Sequence, residues 1–391
     1  EQQRVIHGIL RRLFGGGKAC IMTNSGSIEY RHLILACLLA LLVPNLTGCV
    51  DDEMRISGCE PVGDIRPICG MKAPEDIAAL PDGRHLLFSN FGGMHDGTGH
   101  HSLFDTQSEV STRLFPPTSG EIEPTDVDWG EKGCEPPPLA SYSPHGTHLH
   151  QLADGRWRYL VINHGGRETV EMFEVLGEGA DTRLAWRGCV PAAEDTFMND
   201  VVGLADGDLI FTRMFHNAGL LEQALGAMGK TTGELWRWNR GTGLRILPGT
   251  EAAQPNGIEI TADEKHVFAN MYFEEEVWKI DAGTGEVLGK AQVGSGGDNS
   301  AWGSDGRLWV VTHPEGLFNL LSCFDYQDQP CGARFRIVAI DPDTLATETL
   351  FEHRGAPMGA ATVAVPQAGK VWIGSFVGDR LVVVPDFGKP R

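Results

Sequence analysis

The apolar and polar positions of this chain follow one plan six times over: a polar start, an apolar run, a tight turn and a second apolar run. The segments are EDIAALPDGRHLLFSN from Glu75, HGTHLHQLADGRWRYLVIN from His145 and NDVVGLADGDLIFTR from Asn199. NGIEITADEKHVFAN from Asn256, DNSAWGSDGRLWVVT from Asp298 and GAATVAVPQAGKVWIGS from Gly359 complete the set. Each reads as two short β-strands joined at Gly83, Gly155, Gly207, Glu264, Gly306 or Gly369, where a hairpin turn needs a positive φ. Hairpins repeated along most of a chain predict radial repetition of small sheets. The expected fold is all-β, a six-bladed β-propeller with four-stranded blades around a central tunnel.

The first strand of each hairpin would then run along the tunnel, and all six would begin at one rim. Eight residues before the turn stand Glu75, Asn199, Asn256 and Asp298, each beside a second polar or small residue. One such residue at a strand start is ordinary turn chemistry. Four at the same step, joined by Asp76, Asp200 and Asn299, predict a ring of oxygens about the axis. Hard cations favour such a ring, and calcium takes roughly 6–8 oxygen ligands. No cysteine or paired histidine occupies these positions, which argues against zinc and copper.

Two histidines bear on chemistry. His145 lies ten residues before the Gly155 turn and His164 nine after it, so the hairpin returns both to the same end. There one imidazole could act as a general base while the other orients it. His313, seven residues after Gly306, should return to the same rim.

Composition adds bounds. With 50 Gly, 22 Pro and 9 Trp the chain suits many turns and aromatic-packed sheets, and its 391 residues fit one large all-β domain. A net charge of −20 and a pI near 5.1 argue against a nucleic-acid partner. Arg31 precedes an apolar run from Leu33 to Val43, shorter than the roughly 20 residues of a membrane span but right for a secretory signal. The run leads into Leu46-Thr47-Gly48-Cys49, which resembles a bacterial lipobox. Residues 1–21 are expected to be an upstream extension, 22–48 the export signal, 49–65 a tether and 66–391 the propeller. The expected location is periplasmic or outer cell surface, with lipidation at Cys49 as the one membrane contact. Cys59, Cys69, Cys134, Cys189, Cys323 and Cys331 read as disulfide staples. They allow many connectivities, of which proximity favours 59–69, 323–331 and hence 134–189.

Across residues 70–385 the chain resembles the paraoxonases, calcium-dependent lactonases and arylesterases within the gluconolactonase-like propellers. The resemblance rests on motifs in order: Pro74-Glu75-Asp76, Ser143-Pro144-His145-Gly146, Val161-Ile162-Asn163-His164, Thr169-Val170-Glu171-Met172-Phe173, Asn199-Asp200-Val201, Asn256-Gly257-Ile258, Asp298-Asn299 and His313-Pro314-Glu315-Gly316. It implies two calcium ions in the tunnel. Glu75, Asn199, Asn256, Asp298 and Asn299 would hold the catalytic one; Asp76, Asp200 and the Thr147 carbonyl would hold the structural one. His145 and His164 match the family's histidine dyad, and His313 and Phe215 would line the substrate pocket. The chain departs from the family in having no cysteine after Cys331 to tie its two ends together.

These readings converge on metal-assisted hydrolysis of lactones and aryl esters. Calcium would polarise the carbonyl, an Asn199 or Asn256 amide would donate to the oxyanion, and His145, oriented by His164, would activate water. The chain has no Gly-x-Ser-x-Gly elbow, which disfavours a serine esterase. Rival expectations are a sugar lactonase of the gluconolactonase type and a non-catalytic propeller that binds a ligand at its rim. Acyl-homoserine lactones suit an exported bacterial lactonase.

Overall fold

A computed structural model describes residues 54–387 except 93–97, 124, 126, 194, 195, 217, 218 and 327. The export signal and Cys49 therefore lie outside the described residues. Six antiparallel four-stranded sheets are present. Their innermost strands are Pro74–Ala79, Pro144–Gln151, Phe197–Gly203, Pro255–Ile260, Gly296–Trp302 and Ala361–Gln367. These six neighbour one another in chain order and the last lies against the first, so the sheets are the blades of a closed propeller. Arg66–Cys69 pairs with Arg380–Pro385, so the N-terminal side supplies the outer strand of blade six. Every predicted turn residue has positive φ, from 58° at Glu264 to 100° at Gly207.

The hairpins carry continuous apolar runs because both faces of each sheet are buried. Leu86 and Phe88 face blade six beside Trp372 and Leu381, whereas Leu87 between them packs with Tyr159 and Val161 of blade two. The same division recurs around the ring, giving one apolar cluster at each of the six interfaces between neighbouring blades. The disulfides are Cys59–Cys69, Cys134–Cys189 and Cys323–Cys331, as proximity favoured. In the described part of the expected tether, Met54 and Ile56 are buried and Arg55 bridges Cys331.

Antiparallel order brings the second strand of each blade back to the rim where the innermost strand begins. Connections between second and third strands therefore stand over that rim. They include the loop from His164 to Glu168 in blade two and the helices Leu220–Ala227 and Gly316–Cys323 in blades three and five.

Candidate metal and hydrolytic site

All six innermost strands break register with their neighbours at the start, by a β-bulge or irregularity. A bulge leaves an extra residue outside the ladder and re-aims its side chain. The residues at the break are Glu75–Asp76, His145–Gly146, Asn199–Asp200, Asn256–Gly257, Asp298–Asn299 and Ala361–Thr362. The step at which the sequence places oxygen ligands is thus the step at which the backbone leaves the ladder. The two glycines are required: a Cβ on Gly146 would lie 2.5 Å from the Asn199 carbonyl oxygen, and one on Gly257 2.4 Å from that of Asp298.

A ring of inter-blade hydrogen bonds fixes this rim. Each bulge carbonyl accepts from a side chain of the preceding blade. Thr362 Oγ1 donates to Glu75 O at 2.5 Å, Ser89 Oγ to His145 O at 2.6 Å and Thr212 Oγ1 to Asn256 O at 2.5 Å. His145 Nδ1 lies 3.1 Å from Asn199 O and His313 Nε2 2.7 Å from Ala361 O. Asn270 Nδ2 donates to Asp298 O and completes the circle. Sequence reading did not find these donors; their signal is a polar residue interrupting the second apolar run, as in HLLFSN, LIFTR and HVFAN.

Five buried carboxyl or amide oxygens among the described residues have no hydrogen-bond partner, and all but Glu274 Oε2 belong to residues at these strand starts. Four are Glu75 Oε2, Asn199 Oδ1, Asn256 Oδ1 and Asn299 Oδ1, from four blades. Asn299 donates its Nδ2 to Glu75 Oε1 at 2.7 Å, and Asn199 Nδ2 faces the Met214 sulfur at 3.4 Å. Both amides therefore keep their oxygens for another partner. Unpartnered buried acceptors are costly and rare. No three His, Cys, Asp or Glu side chains among the described residues form a metal cluster by themselves, so the amides have to complete the set.

The electrostatics point the same way. Burial pushes Asp298 up to about 8, with the Asp76 charge adding to it. Burial pushes Asp76 up to about 6 although Thr147 and Ile77 donate to it. Glu75 and Asp200 are also pushed well up, by burial first and then by neighbouring carboxylates. Only hydrogen bonds act against this; no lysine or arginine is among the influences that lower these four groups. Four buried acids without a counter-charge call for a cation, and oxygen-only donors fit calcium.

Asp76 and Asp200 have a second task. Asp76 accepts from its own neighbour Ile77 N at 2.8 Å and from Thr147 N at 2.7 Å in the next blade. Asp200 repeats this with Val201 N at 2.8 Å and Ile258 N at 2.9 Å.

A pH prediction follows for the calcium-free protein. A carboxyl raised in the folded state binds more protons there than when unfolded, so stability falls as pH rises. For Asp298 the window runs from the ordinary 3.8 up to about 8. The chelated protein should melt lower at about pH 8 than at about pH 5, and calcium should reverse this by binding the ionised form. Calorimetry at both values decides it; a chelated protein that gains stability with rising pH contradicts the reading.

The histidines meet as expected. The rings of His145 and His164 are 4.9 Å apart, tilted by 55°. His145 Nε2 is 3.6 Å from Glu75 Oε1, beside the oxygen ring. A carbonyl only accepts, so the contact with Asn199 O places the hydrogen of a neutral His145 on Nδ1 and leaves Nε2 bare. Burial, then the charge of His164, pushes His145 down to about 3, so the ring is neutral at neutral pH. The partner that orients His164 is one the sequence did not suggest: Glu168, whose two oxygens lie 2.9 and 3.0 Å from His164 Nδ1. Phe197 stacks on His164 at 4.7 Å, and Phe91 lies 5.0 Å from His145.

His313 is held differently. Its Nε2 is committed to Ala361 O, its Nδ1 is 3.3 Å from the Tyr272 hydroxyl, and burial pushes it down to about 4. Both ring nitrogens are engaged within the protein, which makes it a clamp between blades five and six. Phe215 packs with Phe197 and Met214, next to the dyad and to Asn199. A cavity of about 350 Å³ lined by Trp129, Arg158, Asp206 and Trp238 lies by the Gly207 turn and includes none of the ring residues.

No curated protein matches the chain in sequence. Among solved structures it is similar to a luciferin-regenerating enzyme, at 14% identity and a TM-score of 0.47, covering 82% of this chain and 95% of that one. It is also similar to regucalcin, a calcium-binding protein from Agrobacterium tumefaciens, at 13% identity and a TM-score of 0.45, covering 81% of this chain and 90% of that one. Identities this low leave ligand and reaction to be argued from the residues of this chain. The family profile described as Arylesterase matches residues 114–382, well over half of the sequence. The chain belongs to the arylesterase family, the paraoxonase-type group that its motifs resemble.

Proposed function

We propose that this protein is a calcium-dependent hydrolase of lactones and aryl esters. The observation that carries the reading is the convergence of four unpartnered oxygens from four blades beside an imidazole of fixed tautomer. Family membership supports an ester or lactone hydrolase in general. Calcium held by Glu75, Asn199, Asn256, Asp298 and Asn299 would polarise the substrate carbonyl and stabilise the oxyanion as it forms.

The chain's own residues do the rest. His145 Nε2 takes a proton from water as the water oxygen bonds to the carbonyl carbon. When the C–O bond to the leaving group breaks, that proton goes to the departing alkoxide. Asn199 directs one of its two amide N–H groups to Met214, and its second N–H or an N–H of Asn256 would donate to the oxyanion. The orphaned oxygens support one ion. A second ion at Asp76, Asp200 and the Thr147 carbonyl rests on the family resemblance, and calorimetric calcium stoichiometry tests it.

The rim favours apolar acyl or aryl groups over polyhydroxylated ones, because Phe91 and Phe197 pack against the dyad and Phe215 and Met214 adjoin Phe197. A panel of aliphatic lactones, aryl esters and sugar lactones tests this. Faster turnover of sugar lactones would favour the gluconolactonase type, and no turnover at all a binding propeller. We also propose export and lipidation at Cys49; Cys49→Ser should then release the protein from the membrane fraction, and unchanged association would exclude it.

A further inference from the structure

We propose that Glu168 is the positioning residue of the dyad, turning two histidines into a Glu168–His164–His145 relay. The inference rests on the hydrolytic reading above and adds a residue and a role to it.

A carboxylate accepts hydrogen bonds and donates none. With both Glu168 oxygens within 3.0 Å of His164 Nδ1, the hydrogen of a neutral His164 ring sits on Nδ1. Its Nε2 is then a bare lone pair, and that nitrogen is buried without a partner. The His164 side chain is fully enclosed, with Phe197 stacked on one face at an interplanar angle of 6° and Phe91 at 6.3 Å. A buried acceptor with nothing to accept, 4.9 Å ring to ring from the imidazole next to Glu75, is placed to receive a proton.

Glu168 is itself held in place. Its Oε1 accepts from Met198 N at 2.7 Å, and its backbone carbonyl accepts from Ala192 N at 3.0 Å. The first bond anchors the carboxylate to blade three, one residue before Asn199, and the second ties the loop to the end of blade two's outer strand. During turnover the proton from water goes first to His145 Nε2 and then to His164 Nε2. His164 then carries hydrogen on both nitrogens, and its positive charge faces the Glu168 carboxylate. When the tetrahedral intermediate collapses, the proton returns through His145 to the leaving alkoxide.

The bond to Met198 allows a rival role, in which Glu168 merely supports the strand that carries Asn199. The test separates the two with calcium-loaded protein. Glu168→Gln keeps the size and an acceptor but removes the charge; it should lower kcat on an aliphatic lactone about 10-fold to 100-fold, with KM and calcium affinity within about twofold. Glu168→Asp should recover part of the loss. Nitrogen-15 NMR of labelled histidines, with the His164 signals assigned by their absence in His164→Gln, should show Nδ1–H in the wild type and Nε2–H in Glu168→Ala. Wild-type kcat in Glu168→Gln overturns the proposal. So does a fall in kcat matched by an equal loss of calcium affinity, or an Nε2–H tautomer in the wild type. If the wild type hydrolyses no lactone or ester, the hydrolytic reading fails, and the NMR tautomer alone still decides whether Glu168 sets the ring.

Discussion

Excess chelator is expected to abolish hydrolysis of lactones and aryl esters alike, and added calcium to restore it. Glu75 Oε2 and the Asn199, Asn256 and Asn299 amide oxygens have no partner in the protein, and the acids around them have no counter-charge. Without the ion those oxygens stay buried and unpartnered. Stability should fall along with activity, because an ion that binds only the folded chain contributes RT ln(1 + [L]/Kd), about 2.7 kcal/mol at a hundredfold excess over Kd. Asp298→Ala removes one charge and should weaken calcium markedly on titration. Full activity after metal removal verified by elemental analysis would sink the calcium reading.

The second large effect belongs to His145. His145→Gln should lower lactone turnover about 10²- to 10⁴-fold, the usual worth of a general base. Calcium affinity should stay close to wild type, because the ion's oxygens come from other blades. Glutamine is the informative replacement: its amide N–H can still reach the Asn199 carbonyl that His145 Nδ1 contacts at 3.1 Å. The ring of inter-blade bonds then survives, and loss of chemistry is separated from loss of structure. Aryl esters with good leaving groups should lose less than aliphatic lactones. Wild-type kcat on every substrate would make the dyad structural and move the search for a base to the rim carboxylates.

The propeller was legible because it reflects a local rule repeated six times, and four of the repeats also carry a polar oxygen at one step. A positive-φ turn, two apolar runs and a polar residue eight positions before the turn leave a periodic trace. The pairing of His145 with His164 was legible too, since a hairpin must return its ends to one place. Glu168 was not. It belongs to a short loop without periodicity, and it acts through two oxygens and a backbone N–H of another blade. The bulges leave no pattern either, because a register break is a relation between strands. Asp76 and Asp200 show a limit of another kind. A carboxylate at a strand start reads as a metal ligand, yet each also caps an N–H of the following blade, Thr147 or Ile258.

Of the six side chains that bond the bulge carbonyls around the rim, two are imidazoles, two are threonines, one is a serine and one an asparagine. The fold asks of each place only a donor of suitable reach. A residue there can be exchanged for another donor of similar reach while the cylinder stays closed. His145 is one such exchange, with a nitrogen left over for chemistry. Ser89 and Thr212 are two more places, both fully buried, where the closure of the ring depends on a donor and not on one residue type.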